Sequence, residues 1–169
     1  MLRKTFFLLE KTINKLNRYW ELKKVLKHQG DLYIGGRTSL TRNTILGKNP
    51  NFNGMHILGF GKVTFGDNFH SGPGCKIITS NHNYDSGTKI PYDDTFINKD
   101  VVIGDNVWFG NNVTVLGGVT IGEGAIIQAS CLIHKDVPSF AIMGGNPGKI
   151  IKTRNVEHYK KLKDEKKFH

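Results

Sequence analysis

The chain is 169 residues long, enough for one hydrophobic core of ordinary size, and it reads as a single domain with two appendages. Its formal net charge of +10 invites an anionic partner, but Lys and Arg crowd into residues 3–27 and 149–167, which excludes a nucleic-acid surface along the middle of the chain. Cys75 and Cys131 both fall where a small buried residue is expected and read as reduced core thiols of a cytoplasmic protein, not as a disulfide. No apolar run approaches the roughly 20 residues of a membrane span, and Phe6 to Leu9, cut short by Glu10, is too brief for a signal core.

Residues 1–30 form an N-terminal segment in which Phe6, Leu9, Ile13, Leu16 and Trp20 alternate with Lys and Arg at helical spacing. This predicts an amphipathic helix. The favoured role is a cap over the open end of whatever follows. The alternative is peripheral contact with an anionic membrane, at its inner face, because a basic face opposite Phe and Trp also suits such a surface.

Residues 31–153 count in sixes. Ile34, Leu40, Leu46, Phe52 and Leu58 come first, and after a shift of one the count resumes at Phe65, Ser71 and Ile77, with Phe69 and Cys75 between them. Residues 78–100 break the count and must leave as a loop. From Ile103 the period is strict, with Phe109, Val115, Ile121, Ile127 and Ile133 in one series and Val107, Val113, Val119, Ala125, Cys131 and Val137 in another. Six suits neither a helix of 3.6 residues per turn nor a hairpin ladder; it suits a coil of short parallel strands with a corner after each. The fold class is therefore an all-β solenoid with the large residues inside. Gly, at Gly104, Gly110 and Gly122, or Asn is expected at the corners, supplying backbone conformations that other residues reach only at a cost. Residues 154–169 are a short basic tail that finishes as a short helix or a disordered end, with a solvated end as the favoured reading.

The loop carries Asn81, His82, Asn83, Tyr84, Asp85, Tyr92, Asp93 and Asp94. Histidine can take and return a proton near neutrality, and a carboxylate three residues on, Asp85, is placed to fix its tautomer. These residues by themselves fit a solvated loop histidine as well. His70, His82 and Asp85 lack a tight ligand spacing, so no metal site is expected.

Residues 103–153, IGDNVWFGNNVTVLGGVTIGEGAIIQASCLIHKDVPSFAIMGGNPGKIIKT, resemble the C-terminal half of the left-handed parallel β-helix acyltransferases, the hexapeptide-repeat family of galactoside, maltose, xenobiotic and serine acetyltransferases. The resemblance implies an acetyl-CoA-dependent O-acetyltransferase acting on a sugar or polysaccharide, working as a homotrimer with sites between subunits. It implies that His82 is the catalytic base, that Asn81, Tyr84 and Trp108 meet the acceptor, that Asn111, Ala129 and Gly145 track the pantetheine arm, and that Lys135, Lys149 and Lys152 meet the phosphates of coenzyme A. His134 and Gly148 depart from the family's usual residues, and the loop lacks the HPxxxxxR pattern of the maltose and galactoside enzymes, which leans toward polysaccharide O-acetyltransferases. The alternatives are an N-acetyltransferase of a nucleotide-linked amino sugar and a β-helix that only scaffolds or binds metal.

Overall fold

The computed structural model describes the backbone of residues 2–169 and side chains from Leu8 onward, so the part of the amphipathic pattern carried by Phe6 lies outside the described side chains. The chain winds as a parallel β-solenoid with three faces. The first face stacks Lys27–His28, Thr44–Leu46, Val63–Phe65, Val101–Ile103 and Thr120–Ile121, and a further turn begins at Val137, bridged to Ile121. The second face stacks Tyr33–Gly36, Asn51–Asn53, His70–Ser71, Trp108–Phe109, Ile126–Ile127 and Ala141–Gly144, and is closed by Lys149–Thr153 running antiparallel. The third face stacks Met55–Leu58, Cys75–Ile78, Thr114–Leu116 and Leu132–Ile133.

Parallel stacking sets each large apolar residue above its counterpart one turn below. Phe65 pairs with Ile103 and Ile103 with Ile121; Ile77 pairs with Val115 and Val115 with Ile133. All of these are buried, and Cys75 and Cys131 are buried free thiols in the same column. Burial pushes both thiols' pKa up, which keeps them protonated and unreactive. One position differs from the sequence reading. Ile57, not Leu58, takes the inward place: Ile57 is 4% exposed and Leu58 49%. Phe52 is followed by the inward Ile57 five residues on, across the turn at Gly54, and Ile57 by the inward Phe65 eight residues on, so the register changes on both sides of Leu58.

The corner glycines also have a different reason from the expected one. A Cβ on Gly104 would stand 2.7 Å from the amide nitrogen of Glu123, and one on Gly110 would stand 2.7 Å from that of Ala129, so the next turn approaches too closely for any side chain. The left-handed conformation falls two residues later, on Asn106 and Asn112 with φ of 55° and 56°. Asparagine tolerates this conformation better than most residues. Asn49, Asn68 and Asn106 form a ladder along one corner, Nδ2 of each donating to the next Oδ1 at 3.2 and 3.0 Å.

That ladder ends on the C-terminal segment. For 154–169 the sequence favoured a solvated end over a short helix, and the structure has the helix: Val156–Asp164 is α2, capped by the Asn155 side chain and docked through buried Tyr159. The Tyr159 hydroxyl donates to Glu123 at 2.7 Å and accepts from Asn106 at 2.8 Å, while Lys163 also pairs with Glu123. Burial alone would raise the Glu123 pKa; the hydrogen bonds from Lys163 and Tyr159 and the lysine's charge outweigh it and lower it. The contribution of Glu123 to stability is thus present above the ordinary carboxylate range and lost as pH falls through its lowered value. Tyr159→Phe removes both hydroxyl bonds and is expected to cost roughly 1–2 kcal/mol. For a chain of this size that lowers the melting temperature by about 2–8 °C. An unchanged melting curve in calorimetry would show that the hydroxyl network does not hold α2.

At the other end, α1 spans Leu2–Lys24, and among its described side chains only one in the last turn, Glu21, is buried, with Arg18 a turn earlier paired to Asp31 at 2.9 Å. Buried Glu21 accepts from the Leu40 amide at 2.7 Å and pairs with Lys24 at 2.9 Å, and Val25 closes the apolar layer above Leu32 and Ile34. The expected cap is therefore one turn long. Among the described residues, none from Leu8 to Trp20 is buried.

Candidate active site

The segment predicted as a loop is a hairpin arm. Ser80–His82 pairs antiparallel with Phe96–Asn98, placing His82 opposite Phe96 and Asn81 opposite Ile97. The arm leaves the third face after Ile78 and returns to the first face at Val101, so it springs from the corner between those faces. Alternation along a strand sorts its side chains. Asn81 and Ile97 turn to one side, where with Tyr84, Lys99, Ile78 and Leu116 they line a cavity of about 330 Å³. His82 and Phe96 turn to the other.

His82 is held by stacking. Its ring lies 3.8 Å from the Tyr92 ring at 17° and 4.6 Å from Phe96 at 36°. Nδ1 is shut off from solvent and has no hydrogen-bond partner. Nε2 makes no hydrogen bond among the described residues either and keeps solvent access, so it is the nitrogen that a proton can reach. Asp85, expected to orient the imidazole, does not reach it within one chain. Asp85 is exposed beyond the turn in which Asn83 accepts from the Ser86 amide at 3.2 Å.

The carboxylate that organises the arm is Asp93. It accepts from the Thr88 amide at 2.8 Å, from the Thr95 amide at 2.9 Å and from both threonine hydroxyls. The Thr95 hydroxyl and the two amides hold its pKa down at about 2. A depressed carboxylate stabilises the fold above the ordinary carboxylate pKa and loses that effect as pH falls through about 2. Amide exchange over residues 83–96 should stay protected from neutral pH to about pH 4, where the carboxylate is still charged, and rise towards pH 2. Asp93→Asn should reproduce the loosening at neutral pH. Unaltered exchange in that variant would remove Asp93 from this role.

The remaining predicted residues fall elsewhere. Asn111, Ala129 and Gly145 line up on successive turns at the corner between the second and third faces; Ser130 donates to the Asn111 carbonyl at 2.8 Å and Leu132 to that of Gly145 at 3.2 Å. Among the described residues the amides of Asn111 and Ala129 donate to nothing. Both residues are exposed, so two N–H groups are presented to a ligand. Lys149 and Lys152 stand exposed on the closing strand and Lys135 beyond the last strand of the third face. Trp108 points out of the second face, in register with His70, into a separate cavity of about 230 Å³ under α2. One chain thus brings Asn81 and Tyr84 together beside the arm. It leaves His82, Trp108 and the Asn111 corner apart.

Sequence reasoning passed over Phe96 and gave Asp93's place to Asp85. The aromatic clamp was readable only as alternation in a strand whose pairing was unknown. Among the described residues no group of three or more His, Cys, Asp or Glu could hold a metal ion.

Comparison with known proteins bears on this arrangement. A family model described as bacterial transferase hexapeptide (six repeats) matches residues 100–135. The putative acetyltransferase YvoF of Bacillus subtilis (strain 168) is 52% identical over 54 residues, 32% of this chain and 31% of that protein. The chain thus matches about a third of the length of this curated relative. The hexapeptide-repeat acetyltransferase VCA0836 of Vibrio cholerae is 27% identical with a TM-score of 0.66, covering 90% of each chain, and it has also been solved with acetyl coenzyme A. A galactoside acetyltransferase in complex with coenzyme A is 26% identical with a TM-score of 0.60, over 75% of this chain and 66% of that one. A period of six, a three-faced parallel coil and matches in both sequence and backbone course agree: the chain carries the hexapeptide repeat of bacterial transferases and is similar in fold to hexapeptide-repeat acetyltransferases.

Proposed function

We propose that this protein is an acetyl-CoA-dependent O-acetyltransferase that passes the acetyl group directly to a hydroxyl of a sugar or polysaccharide, with His82 as general base. The observation that carries this reading is the clamped imidazole, whose one reachable nitrogen stands free on an arm thrown out from a coil like that of known acetyltransferases. A sugar hydroxyl is too weak an acid to attack a thioester unless a base takes its proton as the bond forms. His82 Nε2 takes that proton while the hydroxyl oxygen bonds to the thioester carbon. A free amide at the Asn111–Ala129 corner donates to the resulting oxyanion, a contact whose loss costs about 3 kcal/mol where such donors have been removed. When the carbon–sulfur bond breaks, the imidazolium returns the proton to the thiolate. No covalent enzyme intermediate is needed, and the two buried thiols are not placed for one.

The arm and the Asn111 corner stand at different corners of one coil, and a neighbouring copy is what brings them together. A homotrimer with sites between subunits meets that need. Tyr84 and Asn81, on the cavity wall, supply an aromatic face and an amide of the kind a pyranose ring uses. The galactoside acetyltransferase similarity favours a sugar acceptor. Lys135, Lys149 and Lys152 are assigned to the phosphates of coenzyme A. Lys149→Ala should accordingly raise the KM for acetyl-CoA about tenfold with little change in kcat, the size of one lost charge contact. An equal loss with dephospho-CoA and acetyl-CoA in steady-state kinetics would return the lysine to solvent.

The deciding experiment is a screen of oligosaccharides, polysaccharides and nucleotide-linked amino sugars for acetyl-CoA-dependent release of coenzyme A. Hydroxylamine-labile acetyl groups on a glycan are the expected product. A stable amide on an amino sugar would establish the N-acetyl alternative, and no release with any acceptor would leave the coil as a scaffold.

A further inference from the structure

Beyond its last turn, α1 exposes an apolar stripe. Leu8, Leu9, Ile13, Leu16, Tyr19 and Trp20 are each between 50 and 67% exposed. At 3.6 residues per turn these six fall within an arc of roughly 140°. A coiled-coil seam is narrower and uses only the row Leu9, Ile13, Leu16 and Trp20; Leu8 and Tyr19 widen the stripe past what a partner helix covers. Thr12 lies inside the arc, and its hydroxyl is turned back to donate to the Leu8 carbonyl at 3.0 Å, so the stripe offers no unsatisfied side-chain polarity.

The charges beside it are mostly basic. From Leu8 to Lys24 five residues are basic and two acidic. Of the acids, Glu21 is buried and bound to Leu40 and Lys24, which leaves Glu10 as the exposed one. Lys15 and, further round, Lys11 flank the stripe on its Leu8 side, and the Lys23 ammonium lies 4.5 Å from the Tyr19 ring centroid at its end, while Arg18 turns to the opposite face and pairs with Asp31 at 2.9 Å. A wide apolar face bordered by cations, with Trp20 and Tyr19 at the boundary, matches the interface of an anionic bilayer in both shape and charge. Among the described residues no helix is long and apolar enough to cross a membrane.

We propose that α1 is a peripheral membrane anchor that lies in the plane of an anionic lipid surface, with Leu9, Ile13, Leu16 and Trp20 toward the acyl chains and Lys15 at the edge of the stripe among the headgroups. This surface is independent of acetyl transfer.

The test is co-sedimentation of the full chain with vesicles of phosphatidylcholine mixed with phosphatidylglycerol, against phosphatidylcholine alone. Binding is expected on the mixed vesicles only, falling about tenfold or more as salt is raised and the headgroup attraction is screened. Trp20 emission should shift to the blue on binding, read in a Trp108→Phe background. Leu9→Glu with Ile13→Glu should lower binding at least tenfold, since each places a charge in the apolar interface. Both positions are exposed, so the melting curve should not move. Absence of binding to mixed vesicles at low salt would overturn the proposal, as would equal binding by the double variant. A change of oligomeric state in that variant, with no vesicle binding by the wild type, would assign the stripe to a second copy of the chain.

Discussion

Replacing His82 by alanine is expected to lower acetyl transfer by 100-fold or more, the order contributed by a positioned general base. The melting temperature should barely move, because the ring makes no hydrogen bond and the hairpin is held by strand pairing and Asp93. Alanine also removes the stack on Tyr92 and Phe96 and could loosen the arm, so His82→Phe is the sharper variant. It keeps an aromatic plate in the clamp and removes only the proton acceptor. The two variants should be equally inactive, and the loss should appear in kcat more than in the KM for acetyl-CoA. Activity of His82→Phe within about threefold of wild type would exclude His82 as the base, given the contribution expected of one.

The second large effect lies in the core. Phe69 is fully buried, with its ring 4.6 Å from Phe65, 5.0 Å from Phe109 and 5.4 Å from Phe52. Phe69→Ala opens a cavity between successive turns and should cost about 3–5 kcal/mol. In a chain of this size that is a fall of roughly 6–20 °C in melting temperature. Each turn of a solenoid is stabilised by its neighbours, so the loss is felt on both sides of the site. Phe69→Leu refills most of the volume and should retain more than half of the lost stability. A shift below about 2 °C for the alanine variant would show that the aromatic column is not what holds these turns, since it lies far under the cavity cost.

Phe69 also marks how far the sequence could be read. It was legible as a core position because solenoid burial repeats locally: every sixth residue meets the same neighbour one turn away, so Ile103, Val115, Ile121 and Ile133 declare themselves without knowledge of the whole. Where the inward positions stand five residues apart across the turn at Gly54, the count alone assigned Leu58 inward, and only the stacked strands put Ile57 there.

The sequence by itself determined the coil, the break at 78–100, the histidine within that break and the amphipathic helix, since all four are patterns of spacing along the chain. Tertiary structure decided what depends on which strands face each other. Pairing of Ser80–His82 with Phe96–Asn98 set His82 in an aromatic clamp and left Asp85 out in solvent. Stacking of turns turned the corner glycines from a matter of backbone freedom into one of room for the next amide. It also put Tyr159 at the end of an asparagine ladder, which makes a docked helix of a tail that charge alone reads as solvated. Each of these rests on a contact between residues far apart in the chain, and periodicity carries no information about such contacts.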